Sequence, residues 1–185
     1  MGQTNPKGPT LQHLALMVRD INKSHWFYTE VVGLEQCGKI ERPDMTEIDF
    51  RFYRGAPDRH HDIALVQIPD PGQFPPANLE WNMVENKTGI NHFAICYPDR
   101  ETWLERLRIV KDAGVEFRVR GNHGMTHSVY VADPDGNGVE ILYELPEDVW
   151  VGDVNGALNY FQPLPLDGEE SLQDDTDYKQ FAATN

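Results

Sequence analysis

The chain has 185 residues, 39% of them hydrophobic, and a formal net charge of −14. That length suits one compact domain with a sizeable core, and the acidic balance excludes the basic footprint of a nucleic-acid surface. No apolar run approaches membrane-spanning length, and residues 1–10 lack the apolar stretch of a secretory leader. Cys37 and Cys96 are too few and too isolated for a disulfide framework or a cysteine-based zinc site, so a reducing cytoplasm is the expected location.

In chain order, residues 11–18 read as a buried strand, and Asp20 or Asn22 can cap the helix that follows. Trp26, Phe27, Val31 and Val32 give that helix an apolar face, and Gly33 ends it. Residues 35–42, 47–54 and 62–68 read as strands separated by turn residues. Residues 70–88 form a Pro- and Gly-rich connection carrying Phe74, Trp81 and Met83. The order then repeats: a strand over 89–97, a helix over 100–113 with Trp103, Leu104, Leu107 and Val110 on one face, and strands near 115–120, 128–132 and 138–145. Asp133-Pro134-Asp135-Gly136-Asn137 marks the last turn. From residue 146 onward nine carboxylates face only Lys179, so −8 of the net charge lies there. The stretch from Asp167 is expected to be solvated and partly disordered.

Superposing the two halves pairs His13 with His92 and Ala64 with Glu140. Three of four equivalent positions hold metal-ligand side chains, and two imidazoles with one carboxylate match the ligand set of non-haem Fe(II) oxygenases. Taken singly, each histidine reads as a hydrogen-bonded core residue and Glu140 as a surface residue. Their equivalent places in the repeat point to a metal, as does a carboxylate flanked by Val139, Ile141 and Leu142. The predicted fold is α+β: two βαβββ modules in a pseudo-two-fold arrangement enclosing a metal-binding cup. Residues 1–10 are an N-terminal extension, 11–145 the single catalytic domain, and 146–185 a C-terminal acidic tail. Within the domain, module 1 spans about 11–70, a linker 71–88 and module 2 about 89–145.

The segments Leu11-Gln12-His13-Leu14-Ala15-Leu16, Ile90-Asn91-His92-Phe93-Ala94 and Asp133-Pro134-Asp135-Gly136-Asn137-Gly138-Val139-Glu140 resemble the vicinal oxygen chelate superfamily of glyoxalases, resistance proteins and dioxygenases. Within it, the stretch Arg59-His60-His61-Asp62-Ile63-Ala64-Leu65 resembles the one-domain type I extradiol dioxygenases. The resemblance implies Fe(II), with Mn(II) as the alternative, held by His13, His92 and Glu140. It implies that His61 is the acid–base residue, that Tyr130 binds a substrate hydroxyl, and that His123 is a further active-site histidine, a role for which His127 competes. The implied reaction is insertion of both atoms of O2 into a small aromatic diol in aromatic degradation: catechol, a substituted catechol or a 2,3-dihydroxybiphenyl.

Four-ligand branches place Glu or Gln where Ala64 stands, so they are disfavoured. The alternatives are a fosfomycin-resistance-type metal-dependent transferase, for which Arg118 and Arg120 are the nearest cationic pair, and a metal-free drug-binding resistance protein of the same fold. With one module pair, the chain is expected to form a homo-oligomer. The linker could cap the cup through Phe74, Trp81 and Met83 or be a plain surface crossover.

Overall fold

A computed structural model describes residues 8–74, 77–84 and 88–182. Most of the N-terminal extension, residues 1–7, lies outside the described residues. The fold is α+β, and the two halves share one topology. Module 1 runs β1 (Leu14–Val18), α1 (Ile21–Trp26), β2 (Glu35–Lys39), β3 (Phe50–Arg54) and β4 (Ile63–Gln67). Module 2 runs β5 (His92–Tyr97), α2 (Arg100–Asp112), β6 (Val119–Asn122), β7 (Thr126–Ala132) and β8 (Gly138–Glu144). The sheet orders are β1-β4-β3-β2 and β5-β8-β7-β6, the latter extended by β9 (Gln162–Pro163). In both, the first strand is an edge and pairs in parallel with the last.

Local chemistry explains these elements. Asp20 caps α1 by accepting from the Asn22 and Lys23 N–H groups, and Asp99 caps α2 through Thr102 N–H. The first helix continues as a π-helical turn over Phe27–Val31. Leu14, Leu16 and Val18 of β1 and Phe93, Ile95 and Tyr97 of β5 turn towards the helices by strand alternation. One apolar cluster joins both modules, with Phe27, Tyr28 and Val31 from the first helix and Trp103, Leu107 and Val110 from the second. Burying such a side chain contributes about 1.5–3 kcal/mol.

Most of the stretch from Asp167 is exposed as expected, but a few of its side chains turn inward. Asp174 is almost fully buried; it accepts from the Tyr143 hydroxyl at 2.5 Å, lies 2.8 Å from His127 Nδ1 and 3.7 Å from Arg120. Arg120 also donates to the Pro165 and Glu170 carbonyls at 3.2 Å. Asp174 therefore docks where α2 supplies Arg100, β6 the buried Arg120 and β7 the buried His127, and Phe181 is buried beyond it. In the segment after the second module, Val149 is buried while Phe161 remains half-exposed.

Candidate metal centre

Register places the repeat in three dimensions. Ala15 on β1 pairs with Ala64 on β4, and Ala94 on β5 pairs with Glu140 on β8. Ala64 and Glu140 thus occupy equivalent positions, each beside a strand that begins next to a histidine.

In module 2 the site is built around Glu140, 7% exposed. His92 Nε2 lies 3.4 Å from Glu140 Oε2, and the Tyr130 hydroxyl donates to Glu140 Oε1 at 2.8 Å. Tyr130 sits directly across the ladder from Glu140. Burial first, and then the neighbouring carboxylate, push the Tyr130 phenol well above its ordinary range, so it stays a donor. His123 Nε2 is 3.3 Å from the same hydroxyl. Burial lowers the His123 pKa against the opposing pull of Glu140. His92, Glu140, Tyr130 and His123 therefore form one cluster.

In module 1, His13 and His61 have ring centroids 4.6 Å apart, and His61 packs against Phe52 at 5.0 Å. Burial lowers the His61 pKa, and His13 and His60 lower it further. His60 Nδ1 lies 2.7 Å from His61 Nδ1, so one imidazole donates to the other.

Two residues escaped the sequence reading. Asn91 Oδ1 accepts from His92 Nδ1 at 2.8 Å, and Gln12 Oε1 makes a short bond to His13 Nδ1. Each carboxamide stands immediately before its histidine. With Nδ1–H donated to an amide oxygen, Nε2 keeps the lone pair that a metal needs. The repeated carboxamide-histidine pair was the available signal. Trp81, one of the linker residues expected at the cup, does reach the site: its ring stacks on Tyr130 at 5.4 Å with 5° between planes, and its Nε1 donates to the Asn91 carbonyl at 2.7 Å. Of the three linker residues expected at the cup, Trp81 alone is buried; Phe74 and Met83 are exposed.

His127 is on the other face of β7, against Asp174, so position separates it from the cluster that holds His123. His25 Nδ1 bonds the Tyr53 hydroxyl at 3.0 Å, away from both clusters. Arg120 is directed at the tail, and Arg118 donates to the Leu79 carbonyl at 2.9 Å and pairs with Glu116 at 3.0 Å. The cationic pair that a phosphonate pocket would use is thereby committed elsewhere.

His13 does not join His92 and Glu140. Among the described residues, no group of three His, Cys, Asp or Glu side chains is close enough to hold a metal ion. No helix among them is long and apolar enough to cross a membrane.

Comparison with known proteins agrees with this architecture. The chain is 26% identical over 171 residues to the catechol-2,3-dioxygenase of Bacillus subtilis (strain 168), covering 92% of this chain and 53% of that protein. It is 29% identical over 135 residues to biphenyl-2,3-diol 1,2-dioxygenase 3 of Rhodococcus globerulus, covering 72% and 62%. The chain thus spans between half and two thirds of the length of these two relatives. A glyoxylase/bleomycin resistance protein/dioxygenase domain from Frankia sp. EAN1pec superposes with a TM-score of 0.56 at 18% identity, covering 75% of this chain and 98% of that one. A sequence model of one family matches residues 10–141, which include every residue of the two clusters and all of both modules but the last three residues of β8. The chain belongs to the Glyoxalase/Bleomycin resistance protein/Dioxygenase superfamily.

Proposed function

We propose that this protein is an extradiol ring-cleaving dioxygenase, inserting both atoms of O2 into a catecholic substrate. The observation that carries the proposal is the asymmetry of the two equivalent strand pairs. Glu140 beside Ala94 offers a buried carboxylate, whereas Ala64 beside Ala15 offers no donor. His61, three residues before Ala64, packs on His13 instead. His13, His92 and Glu140 would be the donors to Fe(II) or Mn(II), a set of two imidazoles and one carboxylate, of which one chain brings His92 and Glu140 together. The similarity to a catechol-2,3-dioxygenase and a biphenyl-2,3-diol dioxygenase supports the substrate class.

The side chains divide the work. Held by those residues, Fe(II) or Mn(II) would supply Lewis-acid and redox chemistry. His61 is the acid–base group: a pKa lowered by burial and by two histidines keeps its imidazole neutral and ready to accept a proton. Tyr130 stays protonated and donates to Glu140, and through that bond it fixes the carboxylate. His123, bonded to Tyr130, completes the chain of donors. Trp81 walls His92 and Tyr130 from water. The two cysteines are unpaired, in keeping with a cytoplasmic enzyme.

Anaerobic loading with Fe(II), followed by catechol or 2,3-dihydroxybiphenyl in air, tests the proposal. The expected result is a yellow ring-cleavage product. The His61→Ala variant is expected to keep its iron and lose about 10²–10⁴-fold in turnover, the range of general acid–base catalysis. Bound iron with no product from any catechol would overturn the reading.

A further inference from the structure

We propose that Gln12 is a positioning residue that, acting through His60, holds His61 as its Nε2–H tautomer and ties that state to a free lone pair on Nε2 of His13. The consequence for turnover rests on the roles of His61 and His13 proposed above, whereas the tautomers themselves rest only on hydrogen bonds.

Strand pairing brings the four side chains together. The Leu14 N–H donates to the Asp62 carbonyl at 2.9 Å, and β1 and β4 then run in parallel from Leu14 beside Ile63. The residues just before the two strands, Gln12 with His13 and His60 with His61, therefore lie side by side. Arg59 adds a tie by donating to the Gln12 backbone carbonyl at 3.0 Å, and the Cys37 thiol donates to the His60 carbonyl at 3.1 Å.

Groups with only one possible role fix every proton in the chain. A backbone carbonyl only accepts, so the end of the Gln12 side chain that lies 3.3 Å from the His61 carbonyl is its NH2. The same NH2 lies 2.8 Å from His60 Nε2, which must accept from it. A neutral imidazole that accepts at one nitrogen carries its proton on the other. His60 therefore donates Nδ1–H to His61 Nδ1, 2.7 Å away, and the proton of His61 stands on Nε2. At its other end Gln12 presents Oε1, which only accepts, to His13 Nδ1. His13 thus holds Nδ1–H and keeps its lone pair on Nε2, the form that ligates a metal. One amide orientation sets both results. Turning it over would place oxygen against oxygen at the His61 carbonyl and force the His13 proton onto Nε2, where it blocks a metal.

Module 2 shows what is particular to Gln12. Asn91 takes the same place before His92 and accepts from its Nδ1 at 2.8 Å, but the Asn91 NH2 is spent on the Met83 carbonyl at 3.2 Å. With one methylene more, Gln12 spans from His13 to His60, and His60 connects it to His61. A metal on His13 Nε2 favours the amide orientation that also favours the donor form of His61, so the two states are linked. In the proposed reaction the neutral His61 then offers Nε2–H as a donor, and the lone pair with which it accepts a proton is Nδ1, on the His60 side.

Nitrogen-15 NMR of metal-free protein labelled at histidine reads which ring nitrogen carries each proton, at a pH above the ordinary histidine range of about 6.5. His13→Ala, His60→Ala and His61→Ala assign the signals. The parent is expected to show Nδ1–H on His13 and His60 and Nε2–H on His61. Gln12→Glu offers an acceptor at both ends. His13 should keep Nδ1–H, while the proton of His60 moves to Nε2 and that of His61 to Nδ1. Combined with His60→Ala, the same substitution should leave the His61 signal as it is in His60→Ala alone. A Gln12 that merely braces the loop would give parental tautomers in Gln12→Glu, a result that overturns the proposal. A parent protein with the His61 proton on Nδ1 also overturns it. Should Gln12→Glu fail to fold by circular dichroism, Gln12→Ala takes its place: His61 is then expected to populate both tautomers, and full retention of Nε2–H overturns the proposal. The expected tautomers in a protein that binds iron and cleaves no catechol would support the proposal and overturn only the dioxygenase reading.

Discussion

Tyr130 and Glu140 face each other across β7 and β8, and the phenol donates to the carboxylate at 2.8 Å while staying protonated. The bond fixes one oxygen of Glu140 and leaves the other towards His92. Tyr130→Phe keeps the ring stacked on Trp81 and removes only this donor. Metal affinity is expected to fall about 10–100-fold, as when a partner that orients a ligand is lost. Equilibrium dialysis of the variant checks this, and unchanged affinity would assign Tyr130 to substrate alone.

Asp174 is the anchor of the tail. Asp174→Ala strands Arg120 and His127, both nearly inaccessible, without their carboxylate. Removing one member of a buried charged network costs about 3–5 kcal/mol. The urea midpoint should drop accordingly, and limited proteolysis should begin cutting after residue 166. A variant as stable as the parent would show that the docked tail adds nothing.

Gly138 tests the wall around His92. A Cβ there would meet the Trp81 indole and stand 2.7 Å from the Asn91 carbonyl, a backbone atom that cannot swing aside. Gly138→Ala is expected to destabilise by about 1–3 kcal/mol through overpacking. It should also displace Trp81 from Tyr130, read as a change in tryptophan emission that a Trp81→Phe background abolishes.

Asp99 gives a pH-dependent test. The Thr102 backbone N–H, and then its hydroxyl, hold the Asp99 carboxyl below the usual range. A depressed folded-state pKa contributes stability that is present above the unfolded value, about 3.9, and is lost as pH falls through the lower folded value. Asp99→Asn retains a capping oxygen but cannot titrate. The stability difference between parent and variant, from urea melts at neutral and strongly acid pH, should therefore shrink on acidification.

Much of the module pattern was legible because it is local. The strand runs, the Asp20 cap and the Asp133 turn rest on neighbours in sequence. Asp133 closes that turn itself by accepting from the Asp135 and Asn137 N–H groups, and Gly136 is needed at φ +84°, where a side chain would also strike the Asn78 carbonyl. The first strand was drawn too long, beginning at 11 instead of Leu14, because the apolar pattern runs past its pairing with β4. Most of the tail is exposed, in line with its composition, and Asp174 is the exception. Acidic composition argues for solvent, and only the fold reveals that Arg100, Arg120 and His127 stand together to receive Asp174.

The sequence by itself determined the repeat, the ligand-type residues and the missing fourth donor at Ala64, because all of these are properties of residue identity and register. Only the tertiary structure decided which residues meet. His92 joins Glu140 through a parallel strand pair, and on β7 His127 faces away from Tyr130, the residue to which His123 bonds. His13 stands apart from both and packs on His61. Strand order and module packing depend on which apolar faces bury each other, and that is settled by contacts far apart in the chain.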